Sequence, residues 1–205
     1  MPKATMPAPS TSSGPALVLD TSAIINLNAS GCARDILVAL PRPALVVGAV
    51  LDDLDRDGSR GRGDAMAAAE PIAVGALTVS GLGDAGLTYF ESLVVGPAVE
   101  TLDDGEAAVI ARAAETGAVA VIDDRKAIAI CKRRHPAVDL LSSADLFADI
   151  AVQAALGEQR LVEAVFNALQ RGRMRVLPHR LDWVVGLIGK DRARLCRSLP
   201  ASART

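Results

Sequence analysis

The sequence has few aromatic residues and no long apolar segment. Tryptophan, tyrosine and phenylalanine together make up 2% of its 205 residues, so an aromatic platform that stacks nucleic-acid bases is not expected. No apolar run reaches the about 18 residues that a membrane-spanning helix needs. Residues 1–15 lack the apolar core of a secretory signal. These absences predict a soluble, cytoplasmic protein with a flexible N-terminal tail over residues 1–15.

Cysteine and histidine are also scarce. Cys32, Cys131 and Cys196 are widely spaced and form neither a CxxC pair nor a regular disulfide pattern. With two histidines in the whole chain, a structural zinc site of the usual cysteine and histidine type is not expected. Free thiols in a reducing compartment are the favoured interpretation.

Charge is present in both signs but is unevenly distributed. From Glu158 onward the chain carries ten lysines and arginines against four acidic residues, a charge of +6, whereas the part before it carries −8. Such asymmetry suggests a basic surface close to an acidic site. Ordinary solvated helix faces would give the same count.

Short aliphatic runs alternate with segments of helical periodicity. "ALVL" at residues 16–19 and "AVAVI" at residues 118–122 are typical of strands buried on both faces. "PRPALVVG" and "AVDLLS" predict further strands, and "IAVGALTV" predicts a strand or a small hairpin. The glycine-rich, charged residues 56–63 predict an exposed loop, and residues 65–70 predict a short helix. "DDGEAAVIARAAETG" predicts an amphipathic helix that ends at Gly117. This alternation predicts an α/β fold, a three-layer sandwich around a central, mostly parallel sheet.

The last part of the chain is predicted to be helical. We expect one α/β domain over residues 16–150 and a helical extension over residues 151–205 that packs on the domain or on a partner. Its clearest helix, "RLVEAVFNALQRG", has an apolar stripe formed by Leu161, Val165, Phe166 and Leu169. The stripe could pack on the sheet, form a homodimer or bind another protein.

Four groups of acidic residues follow predicted strands or begin predicted helices. They are Asp20 in "ALVLDTS", Asp52 and Asp53 in "GAVLDDL", Glu106 in "LDDGEAAVIA", and Asp123 and Asp124 in "AVAVIDDRKA". Each acid alone could be a helix cap worth about 1 kcal/mol, and Glu106 could form a capping box with Asp103. However, the carboxyl ends of parallel strands meet at one edge of a sheet, where ligands bind.

Carboxylates gathered on one edge repel each other unless a cation neutralises them. Oxygen ligands without nearby histidine or cysteine favour Mg²⁺ or Mn²⁺ over zinc. The pattern therefore predicts a divalent metal site.

The four segments "VLDTSAII", "VLDDL", "LDDGEAAVIARA" and "VIDDRKA", in this order and spacing, resemble the PIN-domain ribonucleases. This family includes toxins of bacterial toxin–antitoxin pairs, and the resemblance covers residues 16–150. It implies a Mg²⁺- or Mn²⁺-dependent endoribonuclease that hydrolyses phosphodiester bonds of RNA. It also suggests an antitoxin protein as a partner.

The residues that match the family's site are Asp20, Thr21, Asp53, Glu106, Asp123 and Asp124. We expect Asp20 and Asp124 to be the main metal ligands, with Asp123 as a near-equal alternative to Asp124. Glu106 and Asp53 would be second or water-mediated ligands, and Thr21, or its neighbour Ser22, would orient the site. Asp53 stands where the family usually has glutamate, and its shorter side chain puts direct metal contact in question.

A polyanion that approaches an acidic edge needs nearby cations, because lysine and arginine contacts to phosphate dominate nucleic-acid affinity. The candidates are Arg60, Arg62, Arg125, Lys126, Arg171, Arg173 and Arg175. Each could instead be an ordinary solvated side chain.

Two other classes of function compete with the nuclease hypothesis. An aspartyl phosphatase would have a second aspartate two residues after Asp20, where this chain has Ser22. A PIN-like fold could also be a catalytically weak nucleic-acid-binding or regulatory module whose acids serve stability. Metal-dependent cleavage of RNA distinguishes the module from the nuclease.

Overall fold

A computed structural model describes residues 14–56 and 61–204, with the backbone alone for residues 61–66. Most of the predicted tail, at residues 1–13, lies outside the described residues. Within them, five strands form a single sheet. They are β1 (Leu17–Leu19), β2 (Ala44–Val47), β3 (Leu77–Ser80), β4 (Val119–Val121) and β5 (Leu140–Leu141).

The described strands lie in the order β3-β2-β1-β4-β5, and every adjacent pair is parallel. β1 is central, with Leu17 opposite Ala44 of β2 and Val119 of β4. All residues of β1 and β4 are buried. Because alternate side chains of a strand point to opposite faces, helices must cover the sheet on both sides. The predicted α/β fold is confirmed, and the sheet is entirely parallel.

Helices connect and follow the strands. They are α1 (Thr21–Ser30), α2 (Ala33–Ala39), α3 (Gly48–Arg56), α4 (Gly61–Ala73), α5 (Asp84–Val94), α6 (Asp104–Thr116), α7 (Arg125–Arg134), α8 (Ser143–Phe147), α9 (Ile150–Asn167), α10 (Pro178–Ile188) and α11 (Lys190–Leu195). A π-helical turn, Ala168–Gly172, follows α9, and a short 3₁₀ turn, Ala201–Ala203, follows α11.

Helix α6 matches the sequence expectation closely. It packs against β1, β2 and β4, and Val109 and Ile110 on it are fully buried. It ends at Gly117, whose φ of 69° lies in the left-handed region that glycine adopts at low cost.

Two predictions around α4 are wrong. The predicted loop at residues 56–63 is too long, because α4 already begins at Gly61. The predicted strand at residues 72–79 begins only at Leu77, because its first residues complete the same helix. An alanine-rich segment favours helix, and α4 packs on α1 and α3. Helix propensity and packing thus extend α4 beyond the predicted residues 65–70 in both directions, to Gly61 and to Ala73.

The apolar stripe of the C-terminal extension is covered by the chain itself. α9 packs on α1 and α2, and the π-helical turn packs on α1. Leu161, Val165 and Leu169 are buried, whereas Phe166 is half-buried with the guanidinium of Arg192 5.0 Å from its ring centre. The stripe therefore needs no second chain.

The three cysteines are free, and Cys131 and Cys196 are buried. Burial raises the pKa of the Cys131 thiol to about 11. Among the described helices, none is both long and apolar enough to cross a membrane.

Candidate active site

The order of the strands reverses direction between β1 and β4. In open α/β sheets, ligands bind outside the carboxyl ends of the strands at such a switch point. A pocket of about 470 Å³ opens here, immediately beyond β1 and β4. The carboxylates that line it are Asp20, Asp53, Asp103, Glu106, Asp123 and Asp124. We name it the acidic pocket.

Asp20 lies at the base of the acidic pocket and is only 4% exposed. It precedes the first residue of α1, but its carboxylate does not cap the helix. Instead, the hydroxyl of Ser22 donates a hydrogen bond of 2.8 Å to its Oδ2 atom. Burial raises the pKa of Asp20 to about 6, with the negative charge of Asp103 adding to the effect and the Ser22 bond opposing it.

Glu106 enters the pocket from the first turn of α6. Asp103 caps this helix by accepting a 2.8 Å hydrogen bond from the backbone N–H of Glu106, which is half of the capping box considered from the sequence. The carboxyl group of Glu106 lines the pocket. Burial first, and then the charges of Asp103, Asp20 and Asp124, raise its pKa to about 8. Three carboxylates of the cluster thus add to the effect of burial on Glu106.

The neighbouring acids Asp52 and Asp53 occupy different environments. Asp53 lines the acidic pocket, while Asp52 is exposed. Burial and then the charge of Asp103 raise the pKa of Asp53, and Arg56 Nη1 lies 3.3 Å from its Oδ1 atom. Neighbouring residues of a helix point in different directions, so α3 directs Asp53 to the pocket and Asp52 to solvent.

Gly105 allows three helices to meet at the pocket. A Cβ atom at this position would collide with the carboxylate of Asp53 and would lie 3.1 Å from Thr21 Oγ1. With any larger residue here, the carboxylate of Asp53 or the N-terminus of α6 would have to shift. Thr21 Oγ1 is buried and has no hydrogen-bond partner among the described residues. An unpaired buried hydroxyl is costly unless something binds it.

Asp123 is 3% exposed and already fully engaged. Its Oδ1 atom accepts from the backbone N–H of Ser143 at 2.8 Å. Its Oδ2 atom accepts from the Ser143 hydroxyl at 2.6 Å and from Asn26 Nδ2 at 2.8 Å. Burial raises the pKa of Asp123, although these bonds oppose the shift. Asp123 thereby ties the end of β4 to α8 and α1.

Asp124 is more open and faces cations. Its Oδ1 atom caps α7 by accepting from the backbone N–H groups of Lys126 and Ala127, at 2.7 and 3.1 Å. Its Oδ2 atom pairs with Arg175 Nη1 at 2.9 Å. Burial would raise the pKa of Asp124, but the two backbone bonds and Arg175 together hold it below its ordinary value. The sequence left Asp123 and Asp124 as near-equal candidates, and the structure separates their environments.

Of the predicted phosphate-binding residues, Arg173 and Arg175 line the acidic pocket. Arg125 is exposed and shares a smaller pocket with Arg175. Lys126 donates from Nζ to the backbone oxygen of Ala98 at 2.8 Å. Arg171 is exposed on the π-helical turn.

The remaining two candidates cannot be placed at the site. Arg62 belongs to α4, and its side chain lies outside the described part of the chain, as does the whole of Arg60. Their proposed contact with nucleic acid stays a prediction.

Sequence reasoning missed two pocket residues. Asp103 was considered only as a cap, yet it lines the pocket and raises the pKa of Asp20, Asp53 and Glu106. Asn26 is 2% exposed and holds Asp123. The available signal for Asn26 was a polar residue in the apolar segment "AIINL", since a buried amide needs a partner.

The chemistry of the pocket fits a hard divalent cation. Its ligand atoms are oxygens, which Mg²⁺ and Mn²⁺ prefer, and the unpaired Thr21 hydroxyl lies among them. The spacing is wider than chelation requires: among the described residues, no three acidic, histidine or cysteine side chains converge on one point. The carboxylates repel each other because they carry like charges, whereas a bound cation would attract all of them.

The protein belongs to the α/β class and has an all-parallel sheet with an acidic pocket at the switch point between β1 and β4. The chain belongs to the PIN-domain family, because the model of that family matches residues 16–189. The match continues beyond residue 150, where we placed the domain boundary, and includes α9 and α10. No curated protein and no solved structure matches the chain.

Proposed function

We propose that this protein is a metal-dependent nuclease that hydrolyses phosphodiester bonds of RNA. The acidic pocket is the observation that carries the proposal, because it gathers six carboxylates at the switch point and has Arg173 and Arg175 on its wall. Membership of the PIN-domain family supports the same reaction class. An RNA substrate, an antitoxin partner and a toxin role are finer parts of this proposal.

Asp20, Asp53 and Glu106 are the residues best suited to hold a divalent cation. All three line the pocket and have a pKa raised by burial, and the side chains that bond to them are the Ser22 hydroxyl at Asp20 and Arg56 in an exposed ion pair at Asp53. Asp124 could join them once it separates from Arg175. A bound cation would polarise the phosphate, lower the pKa of a bound water and stabilise the leaving oxygen.

The other pocket residues have positioning roles. Ser22 donates to Asp20, so its hydroxyl orients a carboxylate and is not an available nucleophile. Asp123 is saturated by Ser143 and Asn26 and keeps the end of β4 in place. The hydroxyl of Thr21 is free to orient a water or a phosphate oxygen. Glu106, whose pKa is raised to about 8, is largely protonated at neutral pH and must lose this proton to act as a ligand.

Purified protein should cleave RNA with Mg²⁺ or Mn²⁺ and not with EDTA. Asp20→Asn should reduce cleavage to background while the protein stays folded, and Asp52→Asn, an exposed acid outside the pocket, should cleave as the wild type does. Equal cleavage by Asp20→Asn, or cleavage in EDTA, would indicate a contaminant. Failure of both metals on varied RNAs would favour the binding or regulatory module instead.

A further inference from the structure

A second pocket adjoins the acidic pocket and is formed by the C-terminal part of the chain. It has a volume of about 610 Å³. Its wall includes Arg173, Arg175, Arg197, Leu169 and Leu195. We name it the arginine pocket. Since Arg173 and Arg175 line both pockets, the two are contiguous.

The walls of the arginine pocket are held by specific bonds. Gln170 Nε2 donates to the backbone oxygen of Leu195 at 2.6 Å, and the Ser198 hydroxyl donates to the backbone oxygen of Leu169 at 3.2 Å. These bonds join residues 195–198 to the π-helical turn. Because both polar side chains are engaged with the backbone, the guanidinium groups supply the pocket's free donors.

Two of the three arginines of this pocket have no acidic partner within the described ranges, whereas Arg175 pairs with Asp124 of the acidic pocket. Arg192 pairs with Glu163 at 2.6 Å, and Arg194 pairs with Asp191 at 3.2 Å. Arg173 and Arg197 are exposed and have no acidic partner in the described part of the chain. Among the described residues that line the pocket, none is acidic. The positive charges of Arg173 and Arg197 are therefore not offset by a carboxylate of the described wall.

The backbone conformation that places Arg173 beside the acidic pocket is strained. Arg173 has a φ of 56°, in the left-handed region, and is the one described residue other than glycine with a positive φ. A non-glycine residue in this conformation costs about 1 kcal/mol. Gly172 before it lies so close to α1 that a Cβ atom there would be 2.7 Å from Asn26 Oδ1. The chain thus turns tightly over α1 and carries arginine where glycine would be less strained.

We infer that the arginine pocket is a phosphate subsite for a nucleic-acid strand whose reacting phosphodiester lies in the acidic pocket. This inference rests on the proposed function. Arginine binds phosphate oxygens through two parallel N–H donors, and Leu169 and Leu195 give the same pocket an apolar wall for a sugar or base. A strand that leaves the acidic pocket past Arg175 enters the arginine pocket, which makes the C-terminal segment part of the substrate-binding surface.

Binding of a short fluorescent single-stranded RNA, measured by anisotropy in EDTA at several salt concentrations, tests the subsite without cleavage. Arg197→Gln should weaken binding at low salt about fivefold or more and reduce the slope of log Kd against log salt by about one. The matched control, Arg194→Gln on the adjacent helix, should bind within about twofold of wild type, because Arg194 lines neither pocket. Equal affinity and slope for both variants would overturn the inference. Thermal unfolding of each variant should match the wild type, and Arg173→Gln provides a second test at the same pocket.

A double-mutant cycle locates the phosphate. One linkage at a time in the RNA is replaced by a neutral methylphosphonate. At one position this replacement should weaken binding to the wild type and to Arg194→Gln but have little further effect on Arg197→Gln. If every position weakens all three proteins equally, the pocket holds no particular phosphate and the inference is wrong.

The subsite and the proposed nuclease can fail separately. Asp20→Asn should still bind RNA in EDTA and should show the same loss on adding Arg197→Gln. A selective effect of Arg197→Gln supports the subsite even if metal-dependent cleavage is absent. Conversely, a wild-type protein that cleaves RNA but binds it independently of Arg197 retains the nuclease and loses the subsite.

Discussion

The acidic pocket and the arginine pocket share a wall but are built in opposite ways. The acidic pocket is formed at strand ends and helix N-termini, and burial raises the pKa of Asp20, Asp53 and Glu106 within it. The arginine pocket is formed by a turn and the segment after α11, and its guanidinium groups are exposed. Buried acids at fixed positions suit chemistry, whereas exposed cations suit binding. Substitutions in the acidic pocket should therefore change RNA cleavage, and substitutions in the arginine pocket should change RNA binding.

The largest difference is expected within one pair of neighbouring aspartates. Asp53→Asn should reduce metal-dependent RNA cleavage by about 10–100-fold, the usual loss when a group that supports a metal is altered. Asp52→Asn on the same helix should change it little, because Asp52 is exposed and lies outside the pocket. Initial rates with saturating Mg²⁺ measure both. Equal rates for the two variants would remove Asp53 from the site.

The acidic pocket should also make stability depend on pH. In EDTA, the pKa values of Asp20 and Glu106 in the folded state, about 6 and about 8, exceed their ordinary values of 3.8 and 4.5. At these two groups the folded state therefore holds more protons than the unfolded state between about pH 4 and pH 8, and their contribution to the free energy of unfolding falls as pH rises. Asp20 alone accounts for up to about 3 kcal/mol of this fall.

Urea unfolding across this pH range measures the effect. Asp20→Asn should lessen the fall between about pH 4 and pH 6, and Mg²⁺ should lessen it for the wild type because a cation favours the ionised acids. A flat profile for the wild type in EDTA would show that the acids are not destabilised by burial. Arg197→Gln should leave the profile unchanged, because Arg197 does not line the acidic pocket and arginine does not titrate in this range.

Gly172 lies at the junction of the two pockets. Gly172→Ala should destabilise the protein by about 1–3 kcal/mol, as an overpacked core position does, because its Cβ atom would be 2.7 Å from Asn26 Oδ1. The control is Gly186→Ala within α10, where a Cβ atom would meet nothing within 4 Å. That change should stabilise by about 0.5–1 kcal/mol. Urea unfolding distinguishes them, and equal effects would show that the contact with α1 is not tight.

The smallest expected effect on stability is at Arg173. Arg173→Gly relieves a left-handed conformation worth about 1 kcal/mol but adds a similar entropy to the unfolded chain, so stability should change by less than about 0.5 kcal/mol. RNA binding in EDTA should nevertheless weaken. Arg171→Gly, in the helical turn, should instead cost about 1 kcal/mol of stability. A clear loss of stability in Arg173→Gly would mean that this side chain supports the fold.

Strand prediction from the sequence worked where burial was complete. The continuous aliphatic runs before Asp20 and Asp123 are β1 and β4, and Gly117 ends α6 as expected. It failed near α4, where residues 56–63 were predicted as a loop and residues 72–79 as a strand or hairpin, but the helix runs from Gly61 to Ala73. A local signal can be overridden by tertiary contacts, and it was overridden where the local preference was weak.

The acidic residues were predictable as a set but not in their individual environments. Their positions after strands and at helix starts follow from the periodicity of the sequence. Whether a carboxylate is saturated, as Asp123 is by Ser143 and Asn26, depends on segments far away in the chain. Asp103 was visible as a cap, but its effect on the pKa of three other acids was not.

The sequence by itself determined the α/β architecture with a mostly parallel sheet and the edge where the acids gather, because strand burial follows from the hydrophobic pattern and the carboxyl ends of parallel strands meet at one edge. Only the tertiary structure decided that Arg175 would pair with Asp124 and that Arg197 would share a pocket with Arg173. These residues come together through the packing of the C-terminal helices on α1 and α2. Contacts between distant segments depend on how surfaces fit together, which no local pattern of residues encodes.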